Sequence, residues 1–113
     1  MRRDLDAHLE QWRRDWESLL TEDYLQHYSS RFSANGTDLQ QWSTKKRRIN
    51  AAKSWIKVGI SDISIILYPG DSSLAVVSFK QDYASSNLVN TMQKRQYWVR
   101  EGDRWKILYE GAA

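Results

Sequence analysis

Two segments in the second half of the chain constrain its fold more than any other feature. Phe79-Lys80-Gln81-Asp82-Tyr83 and Tyr97-Trp98-Val99-Arg100-Glu101 alternate apolar or aromatic side chains with polar ones, and Gly102-Asp103 reverses the second into Arg104-Trp105-Lys106-Ile107. Such alternation lets one sheet face be buried while the other stays wet. Everything before residue 54 carries helical spacing instead. Helices first and strands last predict an α+β fold. Three N-terminal helices should lie over the concave face of a strongly bent antiparallel sheet of about four strands, with room for a pocket.

The local signals fill in that outline. Leu5, Leu9, Trp12, Trp16 and Leu19/Leu20 recur at spacings of three and four and predict a helix from residue 4 to about 20. Thr21 is placed to cap a shorter second helix that buries Tyr24, Leu25, Tyr28 and Phe32. Ser33-Ala34-Asn35-Gly36 reads as a turn, and Thr37 with Gln40 as a capping box opening a third helix that runs to about Lys53. From Trp55 to Leu67 the period becomes that of a strand, and the parity break between Ile60 and Ile63 predicts a bulge near Ser61-Asp62. Tyr68-Pro69-Gly70-Asp71 is a hairpin turn. Further strands are expected over Leu74–Tyr83, Thr91–Glu101 and Arg104–Glu110, with Gly111-Ala112-Ala113 frayed.

Composition excludes several classes. At 113 residues the chain fits one domain. No run approaches the roughly 20 apolar residues of a membrane span, and Met1-Arg2-Arg3-Asp4 leads into no apolar stretch of the signal-peptide kind. The absence of cysteine removes disulfides, thiolate chemistry and Cys-based zinc sites. A net charge of +3, from 17 basic and 14 acidic residues, is too mild to imply a nucleic-acid partner. Twelve of the fourteen aromatics are Trp or Tyr, whose polar handles suit pocket walls and interfaces.

The order of elements, with the ending Gly102-Asp103-Arg104-Trp105-Lys106-Ile107, resembles the nuclear transport factor 2-like superfamily, the SnoaL-like or cystatin-like α+β cones. That ending marks a fold shared by many functions. A narrower set of residues looks like the C-terminal domain of bacterial L,D-transpeptidase-type peptidoglycan enzymes. It comprises Trp12-x-x-x-Trp16, Tyr24-Leu25-x-x-Tyr28, Trp55-Ile56-x-Val58, Phe79-x-Gln81-Asp82-Tyr83 and Lys94 with Val99-Arg100-Glu101-Gly102. In those proteins an upstream domain carries the catalytic Cys and His. The resemblance implies a non-catalytic accessory module, excised from a longer protein of the periplasm or cell envelope. Without it, the chain reads as cytoplasmic. The implied partners are an upstream catalytic domain, a second copy of the chain, or a peptidoglycan peptide, and no cofactor is implied.

Candidate residues follow. Tyr24, Tyr28, Phe79, Gln81, Tyr83 and Lys94 are the expected pocket, whose hydroxyl, amide and ammonium groups could orient a peptide carboxylate. Cone-fold isomerases and cyclases use a carboxylate base, and Asp82 or Glu110 with Tyr28, Tyr83 or Tyr97 would supply the types. Alternation turns Asp82 away from the Gln81/Tyr83 face, however, towards Lys80 or Lys94. Catalysis is therefore the weaker reading. Tyr97 and Trp98 fall on opposite strand faces, and the resemblance implies a homodimer contact at one of them. The six tryptophans otherwise read mostly as core. His8 and His27, 19 positions apart on separate helices, read as surface or half-buried residues and give no metal site. Lys45-Lys46-Arg47-Arg48 sweep about 300° of helical arc. They read as a solvated face, with a polyanion patch as the sharper and weaker alternative.

Overall fold

A computed structural model describes residues 2–113, with side chains from Asp4 onward. Helix α1 spans Arg2–Glu17, α2 Thr21–Leu25 and α3 Leu39–Ala51. Between the last two, β1 (Ser33–Ala34) and β2 (Thr37–Asp38) form a small hairpin around Asn35 and Gly36, both at positive φ. Four long strands follow: β3 (Ile56–Tyr68), β4 (Asp71–Ser85), β5 (Leu88–Glu101) and β6 (Arg104–Ala112). They form one antiparallel meander in the order β3-β4-β5-β6. The chain has the α+β cone with its helices on a curved four-stranded sheet that the strand alternation predicts. Among the described residues, no helix is long and apolar enough to cross a membrane.

Helix α1 buries Leu5, Leu9, Trp12 and Trp16 as its spacing requires, but it stops three residues short of the expected end. Leu19 takes φ +60°, and the Leu20 N–H donates to Asp15 O while the Leu19 N–H donates to Trp16 O. These two bonds close the helix in a Schellman motif, with leucine in the position glycine usually holds. The cap of α3 also lies one residue later than Thr37/Gln40. Asp38 accepts from the Gln41 N–H at 2.9 Å, and Gln41 Oε1 accepts from the Asp38 N–H at 3.1 Å. Thr37 is held in β2 instead. Asp38→Ala should cost about 1 kcal/mol, read as a downward shift of the denaturation midpoint with an unchanged slope.

Two irregularities shape the sheet. The β3–β4 register shifts between Ser61 and Ser64, and Asp62 takes φ +53°, at the bulge the parity break marks. A second shift lies between β5 and β6, where Tyr97 pairs with Tyr109 but Trp98 pairs with Ile107. Leu108 is thus the extra residue, and inward facing passes from Trp105 and Ile107 to Glu110. The tail is not frayed: β6 runs to Ala112, and the Ala113 N–H donates to Gln93 O at 2.9 Å. Trp12, Trp98, Trp105, Phe32 and Phe79 fill the space between helices and sheet, whereas Trp55 stays exposed, contrary to a core reading.

Candidate functional site

Strict alternation along β5 sends Lys94, Gln96 and Trp98 into the cone, and the Leu108 bulge sends Glu110 to meet them. Lys94 Nζ lies 2.9 Å from Glu110 Oε2, and both side chains are almost fully buried. Glu110 Oε1 accepts from the Tyr28 hydroxyl and from Gln96 Nε2, each at 2.8 Å. Gln96 Oε1 in turn accepts from Trp98 Nε1 at 2.9 Å. Trp12 Nε1 donates to the Tyr28 hydroxyl at 3.1 Å, and the hydroxyls of Tyr28 and Tyr24 are hydrogen-bonded at 3.1 Å. One carboxylate thus organises α1, the segment after α2, β5 and β6.

The electrostatics follow from that geometry. Burial pushes the Glu110 pKa up, but the Lys94 and Lys46 ammoniums, with hydrogen bonds from Lys94 and Gln96, outweigh it and hold the carboxyl below its ordinary range. Burial first, and then the Glu110 charge, raise Tyr24 and Tyr28 well above a normal tyrosine, so both stay protonated donors. A general acid needs a raised carboxyl pKa, and a general base needs a free lone pair near the substrate. The Glu110 pKa is shifted the wrong way for an acid, and three donors already hold its two oxygens.

Beside this network opens a cavity of about 200 Å³, walled by Trp16, Lys46, Asn50, Gln81, Tyr83 and Lys94. Lys46 reaches in from α3 with its Nζ 4.7 Å from the Trp42 ring and 5.8 Å from the Trp16 ring. It makes no ion pair among the described residues. Burial lowers its pKa to about 8, with Lys94 and Lys45 acting the same way against the pull of Glu110. Gln81 Oε1 and Trp16 Nε1 are buried without a hydrogen-bond partner. One small space is therefore walled by an ammonium with no ion pair and by two side chains that each bury an unpartnered polar atom behind that wall.

Of the residues expected to form a pocket, Gln81, Tyr83 and Lys94 line this cavity. Tyr24, Tyr28 and Phe79 do not: they are packed behind it in the aromatic core, where Trp12 contacts both Tyr24 and Phe79. Asp82 faces outward and is exposed, but its partner is the Thr91 hydroxyl at 2.9 Å rather than Lys80 or Lys94. Trp98 is fully buried within its own chain and cannot serve as a dimer face, while Tyr97 is half-buried against the Tyr109 ring at 5.2 Å.

The basic run does not form a patch. Lys46 turns into the cavity and Arg47 pairs with Glu22 at 2.8 Å, which leaves Lys45 and Arg48 exposed. His8 is half-buried and caps nothing beyond the Asp4 carbonyl, 2.6 Å from its Nδ1. His27, by contrast, is buried, with Nε2 2.8 Å from Asp15 Oδ2. No cluster of metal-ligating side chains occurs among the described residues. Sequence reading missed Lys46 as a pocket residue because its three basic neighbours suggested a solvated face. Its i+4 spacing from Trp42 is the signal that could have found it.

The family model of the Cds6 C-terminal NTF2-like domain matches residues 4–111. Bd1075 of Bdellovibrio bacteriovorus superposes with a TM-score of 0.88 at 30% identity, over 99% of this chain and 40% of that one. A point mutant of Pgp2 of Campylobacter jejuni, a helical cell shape determining protein, superposes with a TM-score of 0.86 at 28% identity, over 95% of this chain and 39% of that one. The chain thus spans about two fifths of the length of these relatives. A putative dehydratase of Streptomyces avermitilis, with a TM-score of 0.81 and 10% identity over 96% of this chain and 91% of its own, shares the fold alone. No curated protein matches the sequence significantly.

Proposed function

The chain belongs to the family of Cds6 C-terminal NTF2-like domains, and from that premise we propose that it is a non-catalytic accessory domain of a cell-wall protein of the L,D-transpeptidase type. Its cavity holds a peptidoglycan stem peptide by a carboxylate. The observation that carries this reading is the Lys46 ammonium in the cavity wall, which has no ion pair among the described residues. A carboxylate in the cavity supplies the counter-charge that this ammonium lacks. Pgp2, alike over two fifths of its length, determines helical cell shape, and the wall bears shape in a bacterium. On this reading the domain works in the periplasm or cell envelope, beside a catalytic domain of the same protein. An isomerase- or cyclase-type enzyme would need a free base, and Glu110 is bound by Lys94, Tyr28 and Gln96.

The test is sedimentation of the purified domain with insoluble peptidoglycan, followed by competition with a soluble stem peptide. Cosedimentation that the peptide reverses, with amide shifts at Gln81, Tyr83 and Lys94, is the expected result. A domain left in the supernatant, or one displaced equally by a peptide with every carboxyl amidated, overturns the reading.

A further inference from the structure

A second opening, of about 510 Å³, lies across α1 from the cavity and shares none of its residues. Gln11 and Asp15 of α1, Asp23 of α2, Gln26 and His27 beyond it, and Arg104 and Lys106 of β6 line it, with the exposed Asp23 at the rim. The backbone explains the meeting. The Ile107 N–H donates to His27 O at 2.7 Å and the Ser29 N–H to Ile107 O at 2.8 Å, so the chain after α2 runs beside β6. Trp105 and Ile107 face the core, which leaves Arg104 and Lys106 on the other face of that strand, next to His27.

At the floor, Asp15 and His27 are both buried, at 7% and 5% exposure. Asp15 Oδ1 accepts from Gln11 Nε2 at 2.8 Å and Oδ2 lies 2.8 Å from His27 Nε2. A carboxylate only accepts, so Nε2 carries the ring proton. Burial holds the His27 pKa below its ordinary value, so the ring is neutral at pH 7 and Nδ1 is bare. Nδ1 has no partner among the described residues, and neither Arg104 nor Lys106 forms an ion pair there. Among the described residues the Lys106 ammonium donates only to the Gln26 carbonyl. Asp15 thus fixes a ring with one free acceptor beside two unpaired cations, at the base of an open cleft.

We propose that this cleft binds the free carboxyl end of an acylated peptide. The carboxylate lies against Arg104 and Lys106, and the N–H of the last peptide group donates to His27 Nδ1. A peptide terminus supplies an anion and a donor within one residue, which is what the two halves of the cleft require. The inference does not depend on the cavity, since the two sites have no residue in common.

The experiment uses the whole isotope-labelled chain, titrated with N-acetyl-dialanine and with its C-terminal amide while the His27 ring nitrogens and the Arg104 and Lys106 side chains are followed by NMR. The acid should saturate, move the Nδ1 resonance as a new acceptor would, and bind about tenfold more tightly than the amide. Replacing the outward-facing pair (Arg104→Gln with Lys106→Gln) should lower that affinity about tenfold with the melting temperature unchanged. Equal shifts from acid and amide, movement confined to the Lys46/Lys94 cavity, or displacement of the acid by equimolar inorganic phosphate would each overturn the proposal.

Discussion

Glu110→Gln is expected to destabilise the domain by about 3–5 kcal/mol, a fall in melting temperature of about 10–20 °C. The substitution keeps the shape and one acceptor but removes the charge that balances the buried Lys94 ammonium at 2.9 Å. Lys94 would then sit in the cone without a counter-charge, and Tyr28 and Gln96 would donate to a weaker acceptor. Lys94→Met should cost less. The carboxylate it strands keeps Tyr28 and Gln96 as donors and can take up a proton. The parent chain carries a matching acid signature. Because the folded-state pKa of Glu110 is depressed, its contribution is complete above the unfolded carboxyl value and is lost as pH falls through the folded one. Glu110→Gln removes that share of the acid loss. Thermal melts at pH 7 and pH 4 check both statements, and a variant melting within about 3 °C of the parent at pH 7 would show that the pair does not support the fold.

The fold was legible wherever the backbone stayed regular. Along β4 every second residue from Ala75 to Tyr83 is buried, and that parity alone put Gln81 inward and Asp82 outward. The failures occur where one residue breaks a period for reasons held in three dimensions. Glu110 faces inward because Leu108 is an extra residue in β6, and the unbroken alternation of Trp105, Ile107 and Tyr109 hides that bulge, whereas the parity break between Ile60 and Ile63 marks the one in β3. Helix α1 ends at a left-handed Leu19, where a glycine would have announced the stop. Tyr24 and Tyr28 carry the hydroxyls of a pocket wall, yet Trp12 and Glu110 satisfy them inside the core. His27 read as a surface or half-buried residue because its partner Asp15 lies twelve positions away, beyond the reach of any helical period. Residue types suggested a binding site, but only the tertiary pairing separates spent polar groups from unspent ones.

That distinction singles out Lys46, whose replacement by methionine should weaken carboxylate binding about 10–100-fold. Lys94 and Lys46 both reach the cavity, but the charge of Lys94 is already matched by Glu110. Only the Lys46 ammonium, resting on Trp42 and Trp16, has its charge free for a ligand. The pH dependence gives a second check, with opposite signs for folding and binding. With its folded pKa near 8 and an unfolded value of about 10.5, the folded chain binds fewer protons between those limits, so Lys46 makes stability rise with pH across that window. An anionic ligand requires the ammonium, so affinity should fall as pH climbs through about 8, and in Lys46→Met the profile should be flat. Burying the charge opposes folding, so the variant should melt no lower than the parent. Calorimetric titration with the stem peptide from pH 6 to about 9.5, which spans the folded value, separates the two effects. Binding that stays constant across that range in the parent chain would mean that some other group holds the carboxylate.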